Sequence, residues 1–374
     1  MSITPGRLRA LTRHRLFWPL ALLAGLLLVA VADNPSFFSV RVQGGHLYGN
    51  LIDILRLSAP LALIALGMTL VIALKGIDLS VGAVVAIGGA VACTEISQLA
   101  DQGSASGVVL AVGAALGLCL LAGLWNGFLV AYVGIQPIIA TLILMVAGRG
   151  VAQMVTDGQI VTVSSSPYHL IGGGYLFGLP FSALTAGAVL GLVALLVRRS
   201  ALGVLVESVG GNAEASRLAG IKSRGLTLGV YAFSGLCAGA AGLMISSNIA
   251  GADGNNAGLW IELDAIFAVV IGGTALTGGR FYLGGTLVGV LVIQTLTTVV
   301  LSLGVPPETT LVFKACVVTA VCLLQSPAFR HAVTSRLRRA GSRPPGASST
   351  HIEKPEHEHE PDPTEPTPRE VQNT

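Results

Sequence analysis

Arg149, Gln153 and Asp157 follow one another at intervals of four residues. A helix puts them on one face, where a guanidinium, a carboxamide and a carboxylate can bind a polar cargo. A second set, Asn248, Asp253, Asn255, Asn256, Trp260, Glu262 and Asp264, places amides and carboxylates beside an indole ring. That mixture suits a hydroxyl-rich ligand. It equally suits an ordinary outer loop with Trp260 as an interfacial anchor. The Arg149 face also has two readings. It lines a pathway, or it is structural, with an Arg149–Asp157 link through Gln153 or a guanidinium snorkelling to the outer headgroups.

A third set is Gly76-Ile77-Asp78-Leu79-Ser80-Val81-Gly82, between the apolar runs 57–74 and 81–92. Gly76, Asp78 and Ser80 either break a span and shape a path or gate, or form a tight turn. In the turn, Asp78 or Ser80 caps the next helix through a side-chain oxygen. The fourth set lies in the polar stretch 200–227, which contains Glu207 and Asn212. Asn212 is an N-cap candidate, and Ala213, Ala215, Leu218 and Ala219 belong to a good helix-forming run that stops at Gly220. Only Leu218 and Ile221 are large and apolar there, so membrane anchoring would be weak. Docking into a cleft of a soluble partner is the favoured use.

Catalytic signatures are missing. There is no G-x-x-x-x-G-K-[ST], no H-E-x-x-H and no G-x-S-x-G. The chain is therefore read as non-enzymatic, without a P-loop for ATP and without a metal site. The five cysteines stand in apolar runs without ligand spacing and are read as small buried hydrophobes. His351, His357 and His359 sit among glutamates in a polar tail. A solvated, disordered tail is the favoured reading over weak metal binding.

The elements that must hold these residues are membrane helices. The chain has 374 residues, 52% hydrophobic and 11% charged, with mean hydropathy +0.76. Soluble chains carry about 25% charged residues. The 48 glycines fit close helix packing in a bilayer. Ten apolar segments approach the ~20 residues a span needs: 16–32, 51–74, 81–99, 108–132, 137–155, 181–197, 228–249, 263–276, 281–301 and 310–324. The eighth is too short, and its glycine pairs at 272–273 and 278–279 predict a broken or re-entrant helix.

Basic residues cluster at Arg7 to Arg15, at Arg198 to Arg224 and at Arg330 to Arg339. With these on the cytoplasmic side, ten spans leave both termini inside. The clusters need no nucleic acid to explain them. This topology puts Asp78 at the cytoplasmic edge, in a capping or gating role, and residues 255–264 near the outer face. Ala30-Val31-Ala32 resembles a signal-peptidase site, but its apolar run is long and retention is expected. Spans two to five and seven to ten form a weak, inverted internal repeat, as in many transporters. The fold expected is an all-α polytopic membrane protein, with a basic arm 1–15, a transmembrane domain 16–326 and a tail 327–374.

Residues 51–325 resemble the permease subunits of bacterial ATP-binding-cassette sugar importers of the ribose/arabinose/galactose group. The resemblance rests on Ala65-Leu66-Gly67-Met68-Thr69-Leu70-Val71-Ile72 leading into 76–82, on the 212–221 loop, and on Glu262-Leu263-Asp264-Ala265-Ile266 running into Val270-Ile271-Gly272-Gly273. Within the group the chain looks closest to the galactofuranose type. The supporting stretches are Gly134-Ile135-Gln136-Pro137, 140–153, Asp157-Gly158-Gln159-Ile160-Val161-Thr162, and 251–260.

The resemblance implies a type II importer-like permease in the bacterial inner membrane. It implies a cytoplasmic ATPase that binds ATP and Mg, a periplasmic sugar-binding protein, and a second permease subunit, identical or not. It makes 212–221 the coupling helix. Ser216 departs from the family, which often has alanine there. An ion-gradient-driven secondary transporter is the competing function, with thin support from Asp78 and Asp157.

Overall fold

The structure is a computed structural model, and it describes residues 16–325. The basic arm, the tail with its histidines and the cluster Arg330 to Arg339 lie outside the described residues.

Ten apolar helices follow the ten expected segments. They are α1 (Phe17–Asp33), α2 (Asn50–Ala73), α3 (Val81–Ser97), α4 (Ala105–Phe128), α5 (Pro137–Val155), α7 (Phe181–Arg199), α10 (Ser223–Asn248), α11 (Ile261–Ile271), α12 (Leu283–Ser302) and α13 (Pro307–Gln325). A π-helical turn (Leu129–Val133) extends α4. Six of these helices are long and apolar enough to cross a membrane: α2, α4, α5, α7, α10 and α12. α1 and α3 have 17 residues each. α11 has 11 residues, a rise of about 16 Å against a hydrocarbon core of about 30 Å. The eighth segment is thus a partial helix, as its glycine pairs suggest.

Three small helices complete the list: α6 (Ser166–Gly173), α8 (Leu202–Gly211) and α9 (Ala213–Leu218). The sequence reading has no strands, yet three two-stranded antiparallel ribbons form. They pair β1 (Arg41–Gln43) with β2 (His46–Tyr48), β3 (Ile160–Thr162) with β6 (Gly251–Asp253), and β4 (Tyr175–Leu176) with β5 (Leu179–Pro180). Strands of two or three residues carry too little alternation to be read from sequence.

α10 is the central element and packs on α2, α3, α4 and α6. Small residues let it come close. A Cβ on Gly67 would stand 2.9 Å from the Ser234 Cα, and one on Gly242 would stand 2.2 Å from the Val85 carbonyl oxygen. Hydroxyl bonds fasten α6 to the far end of α10. The Ser247 Oγ donates to the Tyr168 carbonyl at 2.6 Å and accepts from the Gly172 N–H at 2.9 Å. Cys93, Cys119 and Cys237 are buried as expected. Cys316 is exposed on α13, correcting the expectation that every cysteine is buried. An exposed apolar helix face is compatible with lipid, so residence in an apolar run does not require burial in protein.

Candidate functional site: two breaks and a polar cavity

The first break, residues 74–80, is not an edge turn. After α2 ends, Lys75 is exposed with φ +64° and donates from Nζ to the Gly211 carbonyl at 2.8 Å. The chain then turns back inward. The Asp78 residue is 2% exposed. Its Oδ1 accepts from the Ser80 N–H at 3.1 Å and the Ser80 Oγ at 2.6 Å, and its Oδ2 accepts from the Ser234 Oγ at 2.9 Å. The Asn126 Nδ2 donates to the Ser80 Oγ at 2.8 Å.

Ser234 faces Gly67, six residues before Ala73, so Asp78 lies about 9 Å inward of the end of α2. This corrects its placement at the cytoplasmic edge. The physical reason is that Ser80 and Ser234 supply the donors a buried carboxylate requires, and Asn126 bonds to the Ser80 hydroxyl in turn. Ser80 makes no side-chain cap on α3. Asp78 instead holds the N–H at the start of that helix. Gly76 is required here, because a Cβ would stand 2.5 Å from the Tyr231 hydroxyl.

The second break, residues 272–282, depends on backbone packing. A Cβ on Gly285 would lie 2.0 Å from the Gly272 carbonyl oxygen, and one on Gly289 would lie 2.0 Å from that of Ala268. The Gly279 N–H donates to the Ala73 carbonyl at 2.9 Å. The two breaks therefore touch. Gly210, near the end of α8, is pressed against the same Ala73 carbonyl.

α8 and α9 lead into this junction. The Asn212 Oδ1 accepts from the Ala215 N–H at 3.0 Å, as expected of an N-cap. α9 ends at Leu218, and Gly220 takes φ +86°. Glu207, Ala215, Leu218 and Ala219 are exposed, while Ser216 is the buried residue of α9. The unusual serine thus faces the protein and leaves the outer face of α9 intact. An Arg217–Glu214 pair at 2.6 Å crosses that exposed face.

The expected polar faces are only partly brought together. The Arg149 Nη1 donates to the Ala257 carbonyl at 2.5 Å, with the Gly254 carbonyl at 3.5 Å. The expected Arg149–Asp157 link does not form. α5 ends at Val155, and Asp157 lies beyond it with φ +50°. Arg149 instead fastens the approach to α11. Gln153 is half-buried on the same helix and belongs to no cavity described below.

The loop 254–260 also departs from an outer-face placement. Gly258 packs into Gly82 at the start of α3, where a Cβ on Gly258 would lie 2.6 Å from the Gly82 oxygen. Asn255 and Asn256 are tied to Asp253. Its Oδ1 accepts from the Asn255 N–H at 2.9 Å, and its Oδ2 accepts from the Asn256 Nδ2 at 2.7 Å. These bonds, the Asn256 side chain foremost, hold the Asp253 carboxyl below its usual range. Trp260 takes φ +65° and is half exposed.

Asn248 and Asp264 do meet. They line a cavity of ≈ 190 Å³ with Arg56, Gln294, Met244 and Leu61. The Lys314 Nζ donates to the Asp264 Oδ2 at 2.6 Å, and Lys314 is 8% exposed. The Arg56 Nη2 lies 3.3 Å from the Asp53 Oδ1. The sequence reading passes over Arg56, Gln294 and Lys314. A lone lysine inside the tenth apolar run was a usable signal, because a charge at such a position calls for a partner.

Among the described residues, Lys314 pairs with Asp264 and Arg56 with Asp53, while the Arg56 Nε is buried without a hydrogen-bond partner, and no group of three or more His, Cys, Asp or Glu side chains could hold a metal. The arrangement is a packed helix bundle with two interrupted helices and a small cavity whose mostly apolar wall carries a few charged and amide groups.

The family described as branched-chain amino acid transport system / permease component matches residues 50–322. The chain is 50% identical over 322 residues to the galactofuranose transporter permease of Escherichia coli (strain K12), covering 85% of this chain and 93% of that protein. It is 38% identical over 337 residues to a fructose import permease of Bifidobacterium longum (strain NCC 2705), covering 88% and 93%. It is 35% identical over 324 residues to a ribose import permease of E. coli (strain K12), covering 85% and 96%. No solved structure matches the chain. The chain belongs to this permease family and is a multi-pass inner-membrane permease subunit of an ABC importer, a transport component rather than an enzyme.

Proposed function

We propose that the chain carries a monosaccharide, galactofuranose or a related pentose or hexose, into the cytoplasm by alternating access. A periplasmic sugar-binding protein delivers the cargo, and a separate ATPase binds ATP and Mg. A second permease subunit, identical or different, completes the path. Both termini and the α8–α9 region face the cytoplasm, and α9 is the coupling helix. Ten spans, two inverted halves and retention of α1 belong to the same proposal.

The observation that carries the cargo class is the charge state of the cavity. The family description refers to branched-chain amino acids. A zwitterion would need an unmatched cation and an unmatched anion. Here Arg56 is paired with Asp53 and Asp264 with Lys314. The remaining character is amide plus apolar wall, with Asn248 and Gln294 beside Leu61 and Met244. Such a cavity suits a neutral polyol, whose hydroxyls seek hydrogen bonds and whose ring carbons seek apolar contact. Relatives named for galactofuranose, fructose and ribose support the same class.

The test is uptake of labelled sugar or leucine by the reconstituted assembly. Sugar uptake that requires ATP, the ATPase and the binding protein is expected. Leucine uptake of equal rate would overturn the cargo class. Loss of sugar uptake to a protonophore at constant ATP would point to an ion-gradient transporter instead. Gly220→Asp, at φ +86°, should leave insertion intact and abolish coupling to the ATPase. Normal ATPase recruitment and uptake would remove the coupling assignment.

A further inference from the structure

An apolar groove of ≈ 320 Å³ opens between α2, α7, α8 and α10, lined by Leu70, Val193, Val197, Val206, Leu226 and Phe233. It lies away from the polar cavity. Four cations stand at its rim in the sequence. Arg198 and Arg199 directly follow the lining residue Val197, Arg224 directly precedes the lining residue Gly225, and Lys222 stands three residues before it. All four are exposed, and none is in a salt bridge among the described residues.

We propose that this groove binds an anionic phospholipid, with an acyl chain in the apolar channel and the phosphate held by Arg198, Arg199, Lys222 and Arg224. An apolar groove flanked in sequence by exposed cations matches that amphiphile at both ends, and basic pockets between membrane helices recognise acidic headgroups. Guanidinium groups add bidentate hydrogen bonding to phosphate oxygens. A second copy of the chain is a poorer occupant. A two-fold contact centred here would bring the same four cations against their own copies.

The full chain, purified in detergent, would be titrated with phosphatidylglycerol or with phosphatidylcholine of the same acyl chains. Retained lipid is read by native mass spectrometry, and oligomeric state in the same spectra. Phosphatidylglycerol should be retained at least fivefold over phosphatidylcholine. Replacing the four cations with glutamine should erase that preference. Gly229→Trp provides a second variant. Gly229 lines the groove, and a Cβ there meets nothing within 4 Å, so the indole can fill the channel without displacing backbone. It should lower retention of both lipids with oligomeric state unchanged. Equal retention of the two lipids by the unaltered chain, or a preference that survives the fourfold change, would overturn the proposal. So would a Gly229→Trp variant that dissociates a dimer while its lipid content stays the same, because the groove would then be a subunit interface.

Discussion

The two breaks solve one problem with opposite chemistry. At 74–80, side chains satisfy the interrupted region: Asp78 gathers Ser80 and Ser234, and Asn126 bonds to Ser80. At 272–282, close backbone approach through Gly272, Gly285 and Gly289 holds α11 on α12. Irregular backbone within a membrane protein is tolerated where protein buries it. The first break has a polar centre that can be unmade one bond at a time. The second has a packed seam that fails by steric intrusion. They meet where the Gly279 N–H bonds to the Ala73 carbonyl, with Lys75 reaching the Gly211 carbonyl of α8. Motion of α8 would thus reach both breaks through these contacts.

The largest expected effect lies beside the second break. Asp264→Ala leaves Lys314 buried without its partner, which costs about 3–5 kcal/mol. Thermal unfolding in detergent should show this loss, and adding Lys314→Met should recover most of it. A single variant as stable as the parent would mean that the pair does not fasten α11 to α13. Next comes the glycine seam. Gly289→Ala drives a Cβ toward the Ala268 oxygen, for about 1–3 kcal/mol, whereas Gly284→Ala on the same helix meets nothing within 4 Å. Equal stability of the two variants would remove the contrast between the breaks.

The first break should respond more mildly. Asp78→Asn keeps one acceptor oxygen and loses the other, for about 1–2 kcal/mol. Ser234→Ala should cost less, because Ser80 still satisfies the opposite oxygen. Both are measured by the same unfolding assay, and a larger loss in Ser234→Ala would contradict the assigned bonding.

The smallest effect concerns the approach to α11. The Asp253 carboxyl is held below 3.8 chiefly by Asn256. A lowered folded-state pKa contributes stability above the unfolded value, and that contribution is lost as pH falls through the folded value. Asn256→Ala should therefore raise the Asp253 titration midpoint toward 3.8, followed by carbon-detected NMR. An unchanged midpoint would show that the backbone N–H groups suffice.

Much of the frame was legible in the chain. The ten apolar segments, the cap at Asn212, the stop at Gly220 and the short eighth helix follow from local rules about hydropathy, side-chain capping and glycine. The candidate site was less legible. Asn248 and Asp264 were singled out, but their cavity partners Arg56 and Gln294 lie far away in sequence. Arg149 was identified as a polar residue within a span, yet its partners are backbone carbonyls of a loop more than a hundred residues on.

By itself, the sequence determined that this is a helical membrane chain, where its apolar helices lie, and where the short helix capped by Asn212 begins and ends. Those properties depend on neighbours within a few turns. Only the tertiary structure decided that Asp78 is an interior anchor, that loop 254–260 dips to Gly82, and that the two breaks share a contact. Each of these depends on close approach between segments distant in sequence. Burial and the need to satisfy buried polar groups fix such contacts, and no local pattern records them.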